Sequence, residues 1–313
     1  MGQGAALRMA REAAGISLDV MAKRTTYSKS ALSMFENGKR PVHAQVVQKY
    51  EEALGLDVGR LAHVLGKPRK VDAASLVDLA DALSATRRLE DAAGPTAVLP
   101  MVRGLAGVAD TLAEEAGSPL RKRALALASE VSQYQGWVEL ESTGRRNATR
   151  RFTKAVRLAK VAGDPDREAL GLSFHAYTRL EAHDCAGAAD LAEAALQVRG
   201  THPMVHNYDL FQTARIRATA GEKRQAVELL KSADREAEAG EDLEPPDFAY
   251  WYGSGVWALQ RARVLGVLGE TSGAIREIEA GLAALPPEQR DAEWASNWVQ
   301  LTLDGGIPET RAP

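Results

Sequence analysis

Apolar residues recur every three or four positions along almost the whole of this 313-residue chain, and period-two alternation is nearly absent. That spacing puts one apolar stripe on a 3.6-residue helix, so the pattern predicts an all-α fold. Abundant alanine, the strongest helix former, points the same way. Pro68, Pro95, Pro119, Pro165, Pro203, Pro245-Pro246 and Pro286-Pro287 fall between the periodic segments, where a missing N–H and a fixed φ do little harm. From Pro119 to Pro286 these marks stand 38 to 46 residues apart. That interval holds two helices and two turns, so helical hairpins in series are expected.

The first 66 residues read differently, as short helices with tight stops. Residues 5–14 form an amphipathic helix ended by Gly15. Ser17 can cap a second helix over 18–25, and Thr26-Tyr27 make a turn. Ser28 can cap a third helix over 29–36, which stops at Asn37-Gly38. Serine caps accept the orphan N–H groups of a first turn, and Gly or Asn tolerates the left-handed residue after a last one. Two short helices joined by a few residues are a helix-turn-helix. Further helices over about 43–54 and 57–65 would complete a five-helix core. Charge sets this segment apart as well. The net charge of −3 conceals 12 Lys/Arg against 6 Asp/Glu in residues 1–70, and 27 against 36 in the remainder. A basic head on an acidic body suits a polyanionic partner, or reflects two ordinary domains solvated unevenly.

The run LRMAREAAGISLDVMAKRTTYSKSALSMFENGKRP, with its pattern S-x-x-x-L-S-x-x-E-N-G-K-R-P, resembles the Cro/C1-type (XRE) helix-turn-helix family over about residues 5–66. The resemblance implies core positions at Leu7, Leu18, Met21, Ala22, Leu32 and Phe35, and an inter-helix ion pair between Arg11 and Glu36. It also implies that the third helix enters the major groove of double-stranded DNA by its N-terminal residues. That maps base contacts onto Lys29, Ser30, Ser33 and Met34, and phosphate contacts onto Ser28, Asn37, Lys39 and Arg40. Lysine can donate to guanine O6/N7, and serine can pair with either partner. Two departures stand out: Leu18 replaces the family's frequent phosphate-clamping glutamine, and Thr26 replaces its turn glycine.

Beyond residue 118 the hairpins repeat in register. Gly136, Ala148, Phe152 and Ala155 set offsets of 12, 16 and 19 from a small residue. The same offsets give Ala176, Ala188, Ala192 and Ala195, then Ala214, Ala226, Leu230 and Ala233, then Ala262, Ala274, Ile278 and Gly281. Small residues there let two helices approach, and the bulkier one packs on the next hairpin. This resembles the tetratricopeptide repeat, four units over about 129–290, with longer loops and a terminal capping helix over 291–303. The expected organisation is a helix-turn-helix domain over 1–70, a bridging helix pair over 71–118 and a repeat domain over 119–313. The layout resembles a type of bacterial regulator abundant in actinomycetes and, more distantly, the peptide-pheromone receptors, homodimers whose arrays bind a short peptide.

The repeat register aims Trp137, Tyr177, Arg215 and Arg263 inward, with Gln133, Asn207 and Phe211 on the same lining. An effector surface for a short peptide, a small molecule or a protein needs such aromatic pockets, donors and cations. The alternative is that the arginines pair with Glu130, Glu141 or Glu181 and the aromatics are packing. Phe248, Tyr250, Trp251, Tyr252 and Trp257, with Trp294 and Trp298, read as core or as a dimer interface at the array's end.

Other chemistries find little support. The longest apolar run falls short of a membrane span, and the N-terminus has no secretory h-region, so a cytoplasmic location is expected. Cys185 is the single cysteine and excludes an internal disulfide or CxxC site; it reads as a small buried residue. His202 and His206 flank Pro203 without a third ligand, and no nucleophile elbow or phosphate loop occurs. Neither a cofactor, a metal nor an enzymatic role is expected. The residues thus point to a homodimeric DNA-binding transcriptional regulator. The alternative is an interaction scaffold, an antitoxin-like inhibitor of a co-encoded protein.

Overall fold

The computed structural model describes residues 3–14, 16–54 and 72–305, and the fold they form is all-α, without strands among them. Four short helices lead: α1 (Gln3–Ala13), α2 (Leu18–Arg24), α3 (Lys29–Glu36) and α4 (Ala44–Leu54). The fifth helix expected over 57–65 lies outside the described residues. Ser17 accepts a hydrogen bond from the Val20 N–H and Ser28 from the Ala31 N–H, so both expected serine caps form. Leu7, Ala10, Met21, Leu32, Phe35, Val46 and Tyr50 make one small buried core, with Leu18 and Ala22 partly buried against it. Gly4 permits the close contact of α1 with the end of α3: a Cβ there would overlap the Phe35 carbonyl oxygen.

Two long helices follow, α5 (Ala73–Ala93) and α6 (Pro95–Glu115), reversing at Gly94, whose φ of 79° favours glycine. Eight helices then pair as hairpins: α7 (Arg121–Ser142) with α8 (Arg145–Ala162), α9 (Pro165–Glu181) with α10 (Cys185–Leu196), α11 (Pro203–Thr219) with α12 (Lys223–Ala239), and α13 (Ser254–Leu268) with α14 (Thr271–Ala284). The short α15 (Pro287–Arg290) and α16 (Glu293–Leu303) end the described chain. The first helices of successive hairpins touch, giving an inner row of α7, α9, α11 and α13 that α16 extends.

The repeat positions explain this stacking. Every residue of the four aligned sets is buried. A Cβ on Gly136 would come within 2.6 Å of the Phe152 ring, so the first hairpin closes because that position is glycine. Gly281 does the same for the last hairpin, against Leu259 and the Gly255 carbonyl. No described helix is long and apolar enough to cross a membrane.

The bridge does more than connect. Ala6 of α1 belongs to the apolar cluster built by α5, α6 and α7, and Met9 packs against it over Gly107. The opposite side of α1 carries Leu7 and Ala10 into the head core. One helix therefore sits in two cores, and the head is packed directly onto α6.

Candidate nucleic-acid interface and array pocket

The head presents α3 on a rigid mount. Arg11 donates to both oxygens of Glu36, Nε to Oε1 at 2.6 Å and Nη2 to Oε2 at 2.7 Å, and its Nη1 reaches the Ile16 carbonyl at 2.8 Å. The Tyr50 hydroxyl donates to Glu36 Oε1 at 2.8 Å, so α1, α3 and α4 meet at one carboxylate. All three side chains are buried, and each charge or lone pair has a partner. Burial and the neighbouring Glu36 push the Tyr50 phenol far above its usual range, which keeps it a donor.

Away from that clamp, the face of α3 is open. Ser28, Lys29, Ser30, Met34, Asn37, Lys39 and Arg40 are exposed and Ser33 is half-buried. Their present partners are local. Lys29 Nζ pairs with Asp19 Oδ2 at 2.7 Å, both side chains more than half exposed. Asn37 Nδ2 donates to the Ser33 carbonyl and hydroxyl at 2.8 and 3.2 Å. Arg40 lies over the Phe35 ring, 5.1 Å from its centroid, and Gly38, at φ 69°, turns the chain so that the Lys39 and Arg40 N–H groups return to the Met34 carbonyl. Exposed ion pairs are worth at most about 1 kcal/mol, so Lys29 can exchange Asp19 for another acceptor. Asp19 is the feature that the sequence reading of this face missed. It lies one turn from Lys29 only because α2 and α3 cross as they do.

Inside the array a cavity opens between α5, the inner row and α16. Six rings run edge to edge or stacked around it, with centroid separations of 5.9 Å from Trp137 to Phe174, 6.1 Å to Tyr208, 5.3 Å to Trp251, 6.3 Å to Trp298 and 5.0 Å to Trp294. The two ends of this belt are tied to consecutive carboxylates on the last turn of α5. Trp137 Nε1 donates to Glu90 Oε1 at 3.1 Å and Trp294 Nε1 to Asp91 Oδ1 at 3.1 Å. Tyr134 and Tyr250 add hydroxyl donors, at 3.1 and 2.7 Å. No Lys, Arg or His among the described residues forms an ion pair with either carboxylate. Arg87, also on the wall, gives its guanidinium to Glu130 at 2.7 Å, and Glu130 is shared with Arg167 at 2.6 Å. Burial, with Asp91 and Glu141 nearby, raises Glu90 to about 7 against the hydrogen bonds it accepts, and burial raises Asp91 as well. The space enclosed is about 70 Å³, on a measure in which one water needs roughly 10–15 Å³. That is room for a compact group and not for a folded chain.

Gln133, Trp137 and Tyr177 from the sequence-derived lining stand on this cavity wall. Asn207, Phe211, Arg215 and Arg263 do not, so the expectation of one shared surface is corrected. Phe211 is fully buried and stacked on Trp257, with centroids 5.9 Å apart. Arg215 and Arg263 are buried with their guanidinium groups over Tyr177, and Arg263 also over Trp298. Nor do the arginines pair with Glu130, which Arg87 and Arg167 occupy. The reason is geometric: the inner helices are wound tightly enough that the positions after the small residues stack on each other. The late aromatic group is core, as one of its two expected readings had it: Phe248, Tyr252, Trp257 and Trp298 are buried in one cluster with Trp251 and Trp294 against it, and Tyr250 and Trp294 also reach Asp91 on α5. Cys185, expected to be buried, is half-exposed at the start of α10. His202 caps α11 through Nδ1, on the Met204 N–H.

Sequence reasoning assigned α5 only a bridging role and so missed Glu90 and Asp91. A signal was present: Leu76, Leu79, Leu83, Arg87 and Glu90 fall at spacings of three and four, which puts a carboxylate on an apolar stripe. Tyr134, Gln212 and Phe174 carried no such mark.

Residues 4–64 match the family model described as a helix-turn-helix domain. The head is a helix-turn-helix domain. No curated protein matches the chain. Among solved structures, the crystal structure of Bacillus thuringiensis PlcR in complex with the peptide PapR7 and DNA is similar. It has a TM-score of 0.42 and 11% identity, and the match covers 89% of this chain and 92% of that one.

Proposed function

We propose that this chain is a sequence-specific DNA-binding transcriptional regulator that acts as a homodimer in the cytoplasm, with no enzymatic role. The head docks α3 in the major groove. Lys29, Ser30, Ser33 and Met34 meet base edges, while Ser28, Asn37, Lys39 and Arg40 hold phosphates. The tetratricopeptide-like array dimerises and receives an effector. The observation that carries this reading is the division of labour in the head: a fully partnered Arg11–Glu36–Tyr50 clamp fixes α3 from behind, and the opposite face is polar, cationic and open. Folding alone does not require that open face.

The packing supplies a route for a signal. α5 carries the pocket carboxylates and packs on α6, α6 carries α1, and α1 shares its second core with α3. A ligand that favours one setting of α5 would shift the population of head positions by its difference in affinity for the two settings. Two heads reading half-sites about one turn apart, roughly 34 Å, would bind a two-fold related site.

The test is selection of duplexes from a randomised pool by the full chain, followed by a salt titration on the winner. Enrichment of a two-fold symmetric motif, with affinity falling steeply as salt rises, is expected. Failure to enrich any sequence would contradict the reading.

A further inference from the structure

The belt of rings closes on Glu90 and Asp91 with neutral donors alone. Both residues are 7% exposed. A buried carboxylate without a cation is costly in a fold, and the molecule supplies cations to several of its other buried acids, though not to Asp209. Glu36 has Arg11, and Glu130 has both Arg87 and Arg167. The pocket acids differ from these in one respect: they face a cavity. Glu141 and Glu288 add negative charge to the same end, where Arg87 also lines the wall with its guanidinium held by Glu130. Two further polar groups on the wall have no partner: the Gln212 side-chain oxygen, at 2% residue exposure, and the Trp298 indole N–H, at 6%.

Aromatic faces attract cations through their quadrupoles, most strongly where the cation is desolvated. We infer that the cavity is a binding site for a small organic cation, an ammonium group on a compact apolar body, with the charge held between Glu90, Asp91 and the faces of Trp137 and Trp294. Arg263 lies behind Trp298 at 4.6 Å and makes that wall locally positive, which places the charge at the α5 end and the apolar body toward Phe174 and Tyr208. The size of the space suits one ring or a short alkyl chain. Binding in the pocket stands on its own geometry; the claim that it alters DNA affinity rests on the function proposed above.

The test uses the full chain without DNA at about pH 8, above the value of about 7 for Glu90. All five tryptophans lie in the array, so their emission reports the pocket. Benzylammonium and tetramethylammonium are compared with neutral benzyl alcohol and anionic benzoate, by fluorescence and by calorimetry. Both cations should bind and change the emission, and the alcohol and benzoate should bind at least about tenfold more weakly. Glu90→Gln keeps an acceptor for Trp137 and turns an NH2 donor to the Tyr134 hydroxyl, which can accept; it should weaken the cations about tenfold while leaving the melting temperature equal or higher. Asp91→Asn should act in the same direction. Binding of the alcohol as tight as that of benzylammonium, preference for benzoate, or no binding by either cation to the folded protein would each overturn the proposal and leave the two acids as a structural clasp. Because no duplex is present, any of these results leaves the reading of the head untouched. Loss of duplex selection with intact cation binding would sink that reading alone.

Discussion

Buried acids are treated in two opposite ways in this molecule, and the head clamp and the pocket acids are the extremes. In the head, Glu36 is held by a bidentate arginine and a tyrosine, and its neighbourhood has no unmet polar group among the described residues. On α5 and α11, Glu90, Asp91 and Asp209 are also buried, and no cation among the described residues pairs with them. Ser173 approaches Asp209 without reaching hydrogen-bond geometry, and burial raises that carboxyl to about 7. The difference separates scaffold from site. A compensated ion pair fixes a helix and lets the opposite face do chemistry. An uncompensated one stores a preference for a proton or for an incoming cation.

The largest expected effect comes from breaking the compensated pair. Arg11→Ala leaves Glu36 buried with only the Tyr50 hydroxyl, and removing one partner of a buried pair costs roughly 3–5 kcal/mol. In a core as small as that of the head, this should melt α1–α4 first. Far-UV circular dichroism should show an early transition that tryptophan emission does not follow, since the head has no tryptophan. A single coincident transition would mean that the head and the array unfold as one.

The uncompensated acids give the next effect, and it has a definite sign. The folded Glu90 carboxyl, near 7, lies above its usual 4.5. The folded state therefore holds a proton that the unfolded state has released between those values, and stability falls as pH rises through that window. Wild type and Glu90→Gln should match near pH 5, and wild type should be less stable by on the order of 3 kcal/mol at pH 8. Asp209 titrates in the same direction, so the variant flattens the profile without removing it. The neighbours Asp91 and Glu141 act in the same direction as burial. Denaturant midpoints across pH decide the point; parallel profiles for the two proteins would show that Glu90 is ionised in the fold at all these pH values.

Smaller changes sharpen the contrast on the open face. Ser28→Ala removes the cap of α3, which is worth about 1 kcal/mol, and with it a phosphate contact of the proposed interface. Thermal melts and duplex titrations should both register it. Asp19→Asn releases Lys29 from an exposed pair worth at most about 1 kcal/mol. Duplex affinity should rise a few-fold while the melting temperature stays put, and unchanged affinity would mean that Lys29 does not move to the DNA.

The same contrast explains what could be read from the sequence. Local rules sufficed wherever one element decides its own structure. The serine caps at 17 and 28, the stop at Gly38 and the small residues at Gly136, Ala176, Ala214 and Ala262 follow from a few neighbouring positions, and the helices and hairpins form there. The Arg11–Glu36 pair came from a family pattern and is present in the head. The pocket resisted because its parts are remote in sequence: Asp91 meets Tyr250 and Trp294 across 159 and 203 residues. No periodicity encodes a contact at that range. The expected open lining failed for a related reason. Register places Phe211, Arg215 and Arg263 on the inner side, and only the winding of the hairpins decides that the arginines lie over Tyr177 and Phe211 on Trp257.

The central claim, that the exposed face of α3 reads sequence while its rim holds phosphate, is tested most directly by repeating duplex selection with Lys29→Ala and Arg40→Ala beside wild type. Lys29→Ala should change the enriched motif at one position, at a cost of about 1–3 kcal/mol on the wild-type site. Arg40→Ala should keep the motif, weaken all duplexes alike and lower the salt slope by about one. An unchanged motif with equal loss on every duplex for Lys29→Ala would contradict it.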